Sequence, residues 1–397
     1  MLELASKNLT REAIEEISRQ KNEPEWLLEK RLQAFSQFER LELPDFSYGL
    51  ATRLDATELD INEINPFEHS SEIKIKNPAH QLVVKDLNEA LKTHEELIKK
   101  YFLTTTASNK LEALTSAFWS KGLFIYVPKG AEATLEIEST LNGQNFLETI
   151  LVVAEPFSKL TLIESQNSKV STKSYSLQNV EVFGKESSKI EFGCIQNLEE
   201  NVLNFSSRTA FLEKDSSADW IICDMGGGFT KSDVTTNLAG PGASVNNIGI
   251  FLGRNKQQFD FSLNSIHSAP DTSCEMLTKG ALTDKSKGVY GGLIKIKQGA
   301  PRSEGYQKAD ILLLSPDAEA APMPNLEIET NDVKRCTHGA TVGQVDKEKL
   351  FYLMSRGLSE KEAIKKIVEG LLEPAVEKIK IEKIQNHLRE LIDERLK

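Results

Sequence analysis

The sequence predicts a mainly β protein, with a strand-rich core between two helical regions. From Gly122 to Gly343, short apolar segments alternate with polar residues at a period of two, which is typical of strands. Before and after that stretch, apolar residues recur every three or four positions, which is typical of helices. We therefore divide the chain into an N-terminal helical region at 1–121, a β core at 122–345 and a C-terminal helical region at 346–397.

The N-terminal region is predicted to contain several helices and an irregular segment. Thr10 is placed to cap a first helix, and Asn22, with Glu25 three residues later, predicts the cap of a second. Residues 41–80 contain several prolines and no helical period, so we expect irregular structure there. Helical spacing returns at 86–102 with His94 on the apolar stripe, and we interpret it as a packed, hydrogen-bonded histidine rather than a ligand.

The β core is a long succession of short strands. Leu135 and Ile137 alternate with Thr134 and Glu136, and similar segments follow, separated by Gly, Asn, Ser and Asp. No helical pattern lies between them, so a sandwich, a barrel, a propeller and a solenoid all remain open. A solenoid is attractive because it buries apolar side chains coil after coil without helices.

The C-terminal region is predicted to be a set of short helices. Ser359 and Glu362 form a capping box, and Pro374 is expected to open a final helix. One helix face carries the apolar residues Ile364, Ile367 and Leu371. A small helical unit cannot bury such a stripe alone, so we expect these helices to dock on the β core or on a partner.

Composition excludes several classes of function. The 397 residues carry a net charge of −11, whereas a nucleic-acid-binding face needs concentrated positive charge. The apolar runs are too short to span a membrane, and the N-terminus lacks a signal-peptide pattern, so we expect a cytoplasmic protein. The four cysteines are far apart in sequence and are expected to be free thiols.

Two patterns suggest enzymes only weakly. The segment 226–232 contains three glycines and a lysine, but Thr230 precedes Lys231 and a strand pattern follows, so a turn is favoured over a phosphate loop. Paired carboxylates on a solenoid would suit sugar chemistry, but no spacing here singles out a pair. The aspartates considered are Asp219, Asp224, Asp233 and Asp260.

Cys336 and His338 form the chain's one Cys-x-His pair. Positions i and i+2 of a strand point to the same side, so a thiol and an imidazole would project together. That combination suits a soft or borderline metal such as iron or zinc. Two ligands do not complete a site, so others must come from elsewhere, which includes another chain. The alternative is a buried cysteine beside a hydrogen-bonded histidine.

Several segments carry a family resemblance. Its C-terminal part is Cys336-Thr337-His338-Gly339-Ala340-Thr341-Val342-Gly343, followed by Leu350-Phe351-Tyr352-Leu353-Met354-Ser355-Arg356-Gly357. Upstream segments that match are 20–26, 196–197, 265–273 and 291–296. Across nearly the whole chain, the sequence resembles the SufB/SufD family of iron–sulfur cluster assembly proteins.

The resemblance implies a fold, partners and a site. The expected fold is a right-handed parallel β-helix between helical N- and C-terminal parts. The expected role is a non-catalytic scaffold that binds the ATPase SufC through its C-terminal helices. His338, with Cys336 as the weaker candidate, would bind iron or a transient iron–sulfur cluster at an interface with a SufB-like subunit.

Sequence differences favour the SufD side of the family. Ala318 and Leu212 stand where SufB has cysteines, and Gly339 replaces a glutamate of its signature. A complete cluster site on this chain alone is therefore not expected. Two alternatives are kept: a homodimeric scaffold, and a solenoid enzyme acting on polysaccharide, which the absent secretion signal and the lack of a carboxylate pair disfavour.

Overall fold

A computed structural model of the chain describes residues 8–48, 52–68, 70–76 and 80–396. Its core is a parallel β-solenoid of about eight turns, with helices at both termini. The mainly β prediction is confirmed, and of the four open architectures the solenoid is the one observed. Residues 1–7, where no signal peptide is expected, lie outside the described residues, as do positions 49–51, 69 and 77–79 of the segment predicted to be irregular.

Two nine-stranded sheets form the solenoid. In pairing order, sheet one contains β4 (Val83–Asp86), β5 (Lys121–Val127), β7 (Asn145–Ala154), β9 (Ser174–Gly184), β11 (Val202–Leu212), β13 (Phe229–Leu238), β15 (Gln258–His267), β17 (Lys287–Ile296) and β19 (Glu319–Ile328). Sheet two contains β3 (Glu72–Lys76), β6 (Glu132–Leu141), β8 (Lys159–Ser168), β10 (Lys189–Asn197), β12 (Ser217–Asp224), β14 (Ser244–Gly253), β16 (Ser273–Leu282), β18 (Ser303–Leu313) and β20 (Val333–Gln344). A separate small hairpin pairs β1 (Ser47–Tyr48) with β2 (Thr52–Arg53).

The solenoid interior is built by stacking inward-facing residues. Leu162, Phe192 and Trp220 occupy the same position on β8, β10 and β12, and all three belong to the interior cluster. Because side chains alternate along a strand, the in-register pairing repeats this inward row turn after turn. The period-two pattern in the sequence therefore reports the solenoid interior.

Helices cover the outer faces of both sheets. The helices are α1 (Arg11–Lys21), α2 (Glu25–Arg40), α3 (Leu87–Tyr101), α4 (Lys110–Phe118), α5 (Lys347–Ser355), α6 (Glu360–Val376) and α7 (Glu382–Arg395), with a 3-10 turn at Ile61–Glu63. The N-terminal helices pack on sheet one, where Phe118 of α4 joins Tyr175 and Phe205. The last two helices pack on sheet two, where Val368 and Leu372 meet Ile250. The helices thus cover part of the outer face of each sheet, while β19 and β20 stay largely exposed.

Two predicted helix boundaries are wrong. Asn22 does not cap α2 but ends α1, since its φ of 51° lies in the left-handed region that asparagine tolerates. Pro24 precedes α2 instead. Pro374 lies inside α6 near its end, and α7 begins only at Glu382. The predicted capping box of Ser359 and its N3 glutamate is confirmed.

The two ends of the solenoid differ. At the first end, β3 and β4 pair antiparallel with β6 and β5, and the inward side chains Ile125 and Leu135 are fully buried. At the other end, β19 and β20 are the last strands of their sheets. Ile328 of β19 and Val342 of β20 are 43% and 38% exposed. We call the surface formed by β19 and β20 the open end.

Candidate functional site

Strand β20 carries both predicted ligands. It pairs in parallel with β18, which places Cys336 opposite Gly305 and His338 opposite Gln307. Positions 305 and 307 are buried inward-facing positions, and residues two apart on a strand share a face. Cys336 and His338 therefore both lie on the inward-facing side of β20 at the open end, sharing a face as their spacing predicts.

The Cys336 thiol is half-buried. It packs against the interior cluster of the solenoid, and this burial raises the pKa of the thiol above its usual range. The group is therefore a neutral thiol at physiological pH. A metal ion would bind it by displacing the proton, as metals do with cysteine ligands.

The His338 side chain is exposed. Gln307, on the neighbouring strand, already makes two bonds: its Oε1 accepts from the Tyr290 hydroxyl at 3.3 Å, and its Nε2 donates to the Asn325 carbonyl at 3.0 Å. In the described part of the chain, no three His, Cys, Asp or Glu side chains are grouped so that they hold a metal ion. A metal bound by Cys336 and His338 therefore needs further ligands besides the side chains that the structure describes around them.

The aspartates considered for sugar chemistry are committed to structural contacts. The Lys231 ammonium lies 3.0 Å from Asp233 and 2.9 Å from Asp260, so one lysine holds both carboxylates. Asp224 is buried in the solenoid, which raises the pKa of its carboxyl to about 6. Asp219 pairs with Lys380 at 2.7 Å. The polysaccharide enzyme is therefore not favoured.

The glycine-rich segment is a turn, as predicted. It joins β12 to β13, so a strand and not a helix follows it. A Cβ atom on Gly226 would lie 2.2 Å from the Leu198 carbonyl oxygen, and Gly227 has a φ of 83°. Close backbone approach therefore requires glycine here, and a phosphate-binding role is not needed to explain the glycines. His94 is half-exposed, and its Nδ1 lies 2.7 Å from the Thr93 hydroxyl, in a hydrogen bond but outside the core.

A buried polar network inside the solenoid was missed in the sequence. The Gln178 Nε2 donates to Glu148 at 2.9 Å and to Glu164 at 2.5 Å, while Arg208 donates to the Gln178 Oε1 at 3.0 Å. Burial, together with the Glu164 charge, raises the pKa of Glu148. The period-two alternation of the strands could have indicated this network, because it places these polar residues at inward-facing positions.

A second missed feature is a buried imidazole–thiol pair. The His267 Nε2 lies 3.3 Å from the Cys274 Sγ. Burial lowers the pKa of His267 to about 4 and raises that of Cys274 to about 12, so both groups are neutral at physiological pH. The sequence marked 265–273 only by family resemblance, because the contact joins two different strands and neither residue alone indicates it.

The three positions that distinguish SufB offer no soft ligand. Leu212 is fully buried in the solenoid interior, and Ala318 is buried in the turn before β19. Gly339 lies on β20 with no neighbouring atom near its missing Cβ. The thiol and imidazole of β20 are thus the soft ligands that the described open end presents on its last strand.

The fold and these two side chains define a class of protein: a helix-flanked β-solenoid whose open end presents a thiol and an imidazole. Comparison with known families gives a more particular assignment. The SufBD core domain of the SUF system for FeS cluster assembly matches residues 137–371, and the SufBD protein N-terminal region matches residues 61–138. The chain belongs to the SufBD family of iron–sulfur cluster assembly proteins.

Curated relatives carry the same family name. An iron-sulfur cluster assembly SufBD family protein of Staphylococcus saprophyticus is 29% identical, with 95% of this chain and 91% of the relative aligned. Proteins of the same name from Staphylococcus epidermidis and Staphylococcus aureus are each 28% identical over the same shares of the two chains. The similarity therefore includes both helical regions and the solenoid. In the described residues, no helix is long and apolar enough to cross a membrane.

Proposed function

We propose that this chain is a SufD-like scaffold subunit that helps to acquire iron and assemble iron–sulfur clusters at an interface with a SufB-like subunit. The chain itself is non-catalytic, and ATP is hydrolysed by SufC bound to its C-terminal region. The complex works in the cytoplasm, where the four free thiols remain reduced. The observation that carries this proposal is the open end, which presents Cys336 and His338 together with uncovered apolar side chains.

The open end has the composition of an interface. Ile328 and Val342 continue the inward apolar rows of their sheets but remain partly exposed. A further turn of solenoid, supplied by a partner, would bury them as the preceding turns are buried. Exposed apolar surface of this kind is typical of protein–protein contacts.

The two edge strands offer different pairing surfaces. In β19, Pro322 and Pro324 remove two backbone donors, as is common on edge strands. Strand β20 has no proline from Val333 to Gln344, so it keeps every backbone donor. The partner is therefore expected to pair mainly with β20, the strand that carries both candidate ligands.

Iron is cargo in this proposal. Iron–sulfur clusters are held mainly by thiolates, and imidazole replaces thiolate in some of them. Cys336 and His338 would supply one of each, and the partner would complete the ligand set. This division agrees with the incomplete site on the described part of this chain.

The surface for SufC is reassigned within the C-terminal region. Ile364 and Leu371 of α6 are half-buried and pack against the cluster between α6, α7 and sheet two. The preceding helix is more exposed. Its uncovered side chains are Phe351 (73%), Tyr352 (56%) and Met354 (42%). We therefore propose that α5 supplies the main apolar contact with the ATPase.

The test of the ligand proposal is the iron and sulfide content of the purified complex, prepared anaerobically. His338→Ala is expected to lower both contents while the complex still assembles, because alanine has no donor atom. Cys336→Ala is expected to have a smaller effect, since a SufB-like partner would supply the principal thiolate. Thr337→Ala is the matched control, because Thr337 is also exposed but lies on the opposite face of β20.

Normal iron content in His338→Ala would remove the support for His338 as a ligand. A loss confined to Cys336→Ala would reverse the ranking of the two residues. The molecular mass of the chain, purified without any partner, distinguishes a homodimeric scaffold from one that pairs with a SufB-like subunit. A stable dimer that β20 substitutions dissociate would favour a second copy over a SufB-like partner.

A further inference from the structure

His267 and Cys274 lie together on consecutive strands. His267 is the last residue of β15, Cys274 is the second residue of β16, and the turn 268–272 joins them. Both are buried, at 0% and 6% exposure, with 3.3 Å between the Nε2 and Sγ atoms. The other two buried thiols, Cys194 and Cys223, have no such imidazole contact in the part of the chain that the structure describes.

The contacts of the Thr272 hydroxyl bear on which imidazole nitrogen carries the proton. Its oxygen lies 3.1 Å from the Ala269 carbonyl oxygen, 2.8 Å from the His267 Nδ1 and 2.7 Å from the Ser303 hydroxyl. In one arrangement the Thr272 hydrogen goes to the carbonyl, and Nδ1 and Ser303 donate to Thr272. In that tautomer the Nε2 lone pair accepts from the Cys274 S–H. Metal-binding histidines are usually held in this way through their other nitrogen.

We propose that His267 and Cys274 form a buried binding site for a monovalent soft cation, Cu⁺. Binding breaks the Cys274 S–H bond, forms a sulfur–copper bond and releases the proton to solvent, with no change in oxidation state. A thiolate, a neutral imidazole and Cu⁺ sum to zero charge, like the thiol–imidazole pair that they replace. A divalent ion would leave one uncompensated positive charge in the interior, which is costly.

The number of ligands points to the same ion. Structural zinc takes four ligands, but no three suitable side chains are grouped in the described residues. Cu⁺ is stable with two ligands and prefers soft donors such as thiolate. Metal bonds of about 2.3 Å to sulfur and about 2.0 Å to nitrogen require the 3.3 Å separation to widen by roughly 1 Å.

The proposed site is separate from the ligands of the open end. Gly305 lies between Cys274 and Cys336, paired with each of them on neighbouring strands. Two strand spacings put the thiol-bearing backbones about 10 Å apart, too far for a disulfide. The copper site therefore does not depend on the proposed function.

The test is an anaerobic titration of the purified full-length chain with Cu⁺ supplied as its bicinchoninate complex. A Cys336→Ser background removes the half-buried thiol from competition. We expect one tightly bound Cu⁺, with one proton released per ion. Cys274→Ser should weaken binding by more than about 100-fold, and Thr272→Val, which removes the hydroxyl beside the imidazole Nδ1 together with its contacts to Ala269 and Ser303, by about 10- to 100-fold. Cys223→Ser is the control with a buried thiol and should bind normally.

X-ray absorption should show one sulfur and one nitrogen neighbour in the chain that binds copper. Unchanged affinity in Cys274→Ser would overturn the proposal, as would loss of binding in Cys223→Ser. Tighter retention of Zn²⁺ than of Cu⁺ would contradict the charge argument. Thermal unfolding of each metal-free variant identifies misfolding, and Thr272→Val keeps the test valid because valine matches threonine in shape.

Discussion

The two ends of the solenoid consist of similar parallel strands, but only the first end is capped by antiparallel strands. At the first end, the antiparallel strands β3 and β4 pair with the first turn, and Ile73 and Val84 pack against the interior cluster. The edge strand β3 also carries charged side chains, with Lys76 paired to Glu138. At the open end, Val342 and Ile328 are exposed and no described strand pairs beyond β20.

The difference shows that the first end is protected against pairing with another chain, whereas the open end is not. A solenoid must protect its terminal strands, because an exposed edge pairs with other chains. Antiparallel capping and charge protect the first end. The open end has prolines on one strand only and apolar inward side chains, as the proposed contact with a partner requires. The candidate ligands lie at this end and not at the capped one.

The largest expected effect is on the free energy of unfolding, and it compares an inward-facing residue of a central turn with one of the open end. Phe192→Ala, in a central turn, should lower the free energy of unfolding by about 3–5 kcal/mol, because Phe192 is fully buried between Leu162 and Trp220. Val342→Ala, an inward residue of the open end, should change it by less than about 0.5 kcal/mol in the isolated chain. Urea denaturation measures both values.

The open-end variant should have the larger effect on a second quantity, the affinity for the partner. Val342→Ala should weaken partner binding, since the proposed interface would bury Val342. If Val342→Ala cost the isolated chain as much as an interior substitution, the open end would be covered by the chain itself, and the comparison would fail.

A smaller effect concerns the covered outer face of sheet one. Glu181 is buried there and accepts from the Leu103 N–H at 2.7 Å; burial raises the pKa of its carboxyl to about 7. The folded state holds this proton from about pH 4.3, the usual glutamate value, up to about pH 7. The stabilising contribution is complete below that window and is lost as pH rises through it, by at most about 1.4 kcal/mol per pH unit.

Glu181→Gln keeps an acceptor for the Leu103 N–H but does not titrate. The free energy of unfolding of this variant should therefore fall less steeply between about pH 5 and about pH 7. Urea unfolding at several pH values gives the slopes. Glu132→Gln, an exposed residue of β6 with a lowered pKa, is the control and should match the unmodified chain. Equal slopes in Glu181→Gln would show that this face is open to water.

The smallest effect on stability is expected at α5. Phe351→Glu should leave the free energy of unfolding within about 0.5 kcal/mol, because Phe351 is 73% exposed. It should nevertheless abolish co-purification with SufC. Phe157→Glu is the matched control, since Phe157 is 58% exposed but lies in the turn before β8. Retention of SufC by the Phe351 variant would move the docking surface elsewhere.

The fold was largely predictable because alternation reports burial directly. Period-two spacing in 122–345 and helical spacing on either side correspond to the observed strands and helices. The solenoid could not be distinguished from a sandwich by pattern alone, because both bury alternate residues. The helix cap at Asn22 was misassigned because asparagine favours both helix starts and left-handed helix ends.

The candidate site was predictable only in part. The shared face of Cys336 and His338 follows from local spacing, and the structure places both on the last strand. The His267–Cys274 pair was not predictable, because its contact depends on how β15 and β16 follow one another in space. The proposed iron binding of β20 remains a prediction, since the described residues supply no third ligand beside Cys336 and His338.

The most direct test of the account is hydrogen exchange of the backbone amides at the two ends, with and without the SufB-like partner. In the free chain, the peptide covering 333–344 should exchange quickly, as expected for an unpaired edge. On complex formation, its exchange should slow markedly, while the peptide covering 72–76 at the capped end stays unchanged. A complex that forms without protection of 333–344, or with protection at 72–76 instead, would contradict the assignment of the open end as the interface.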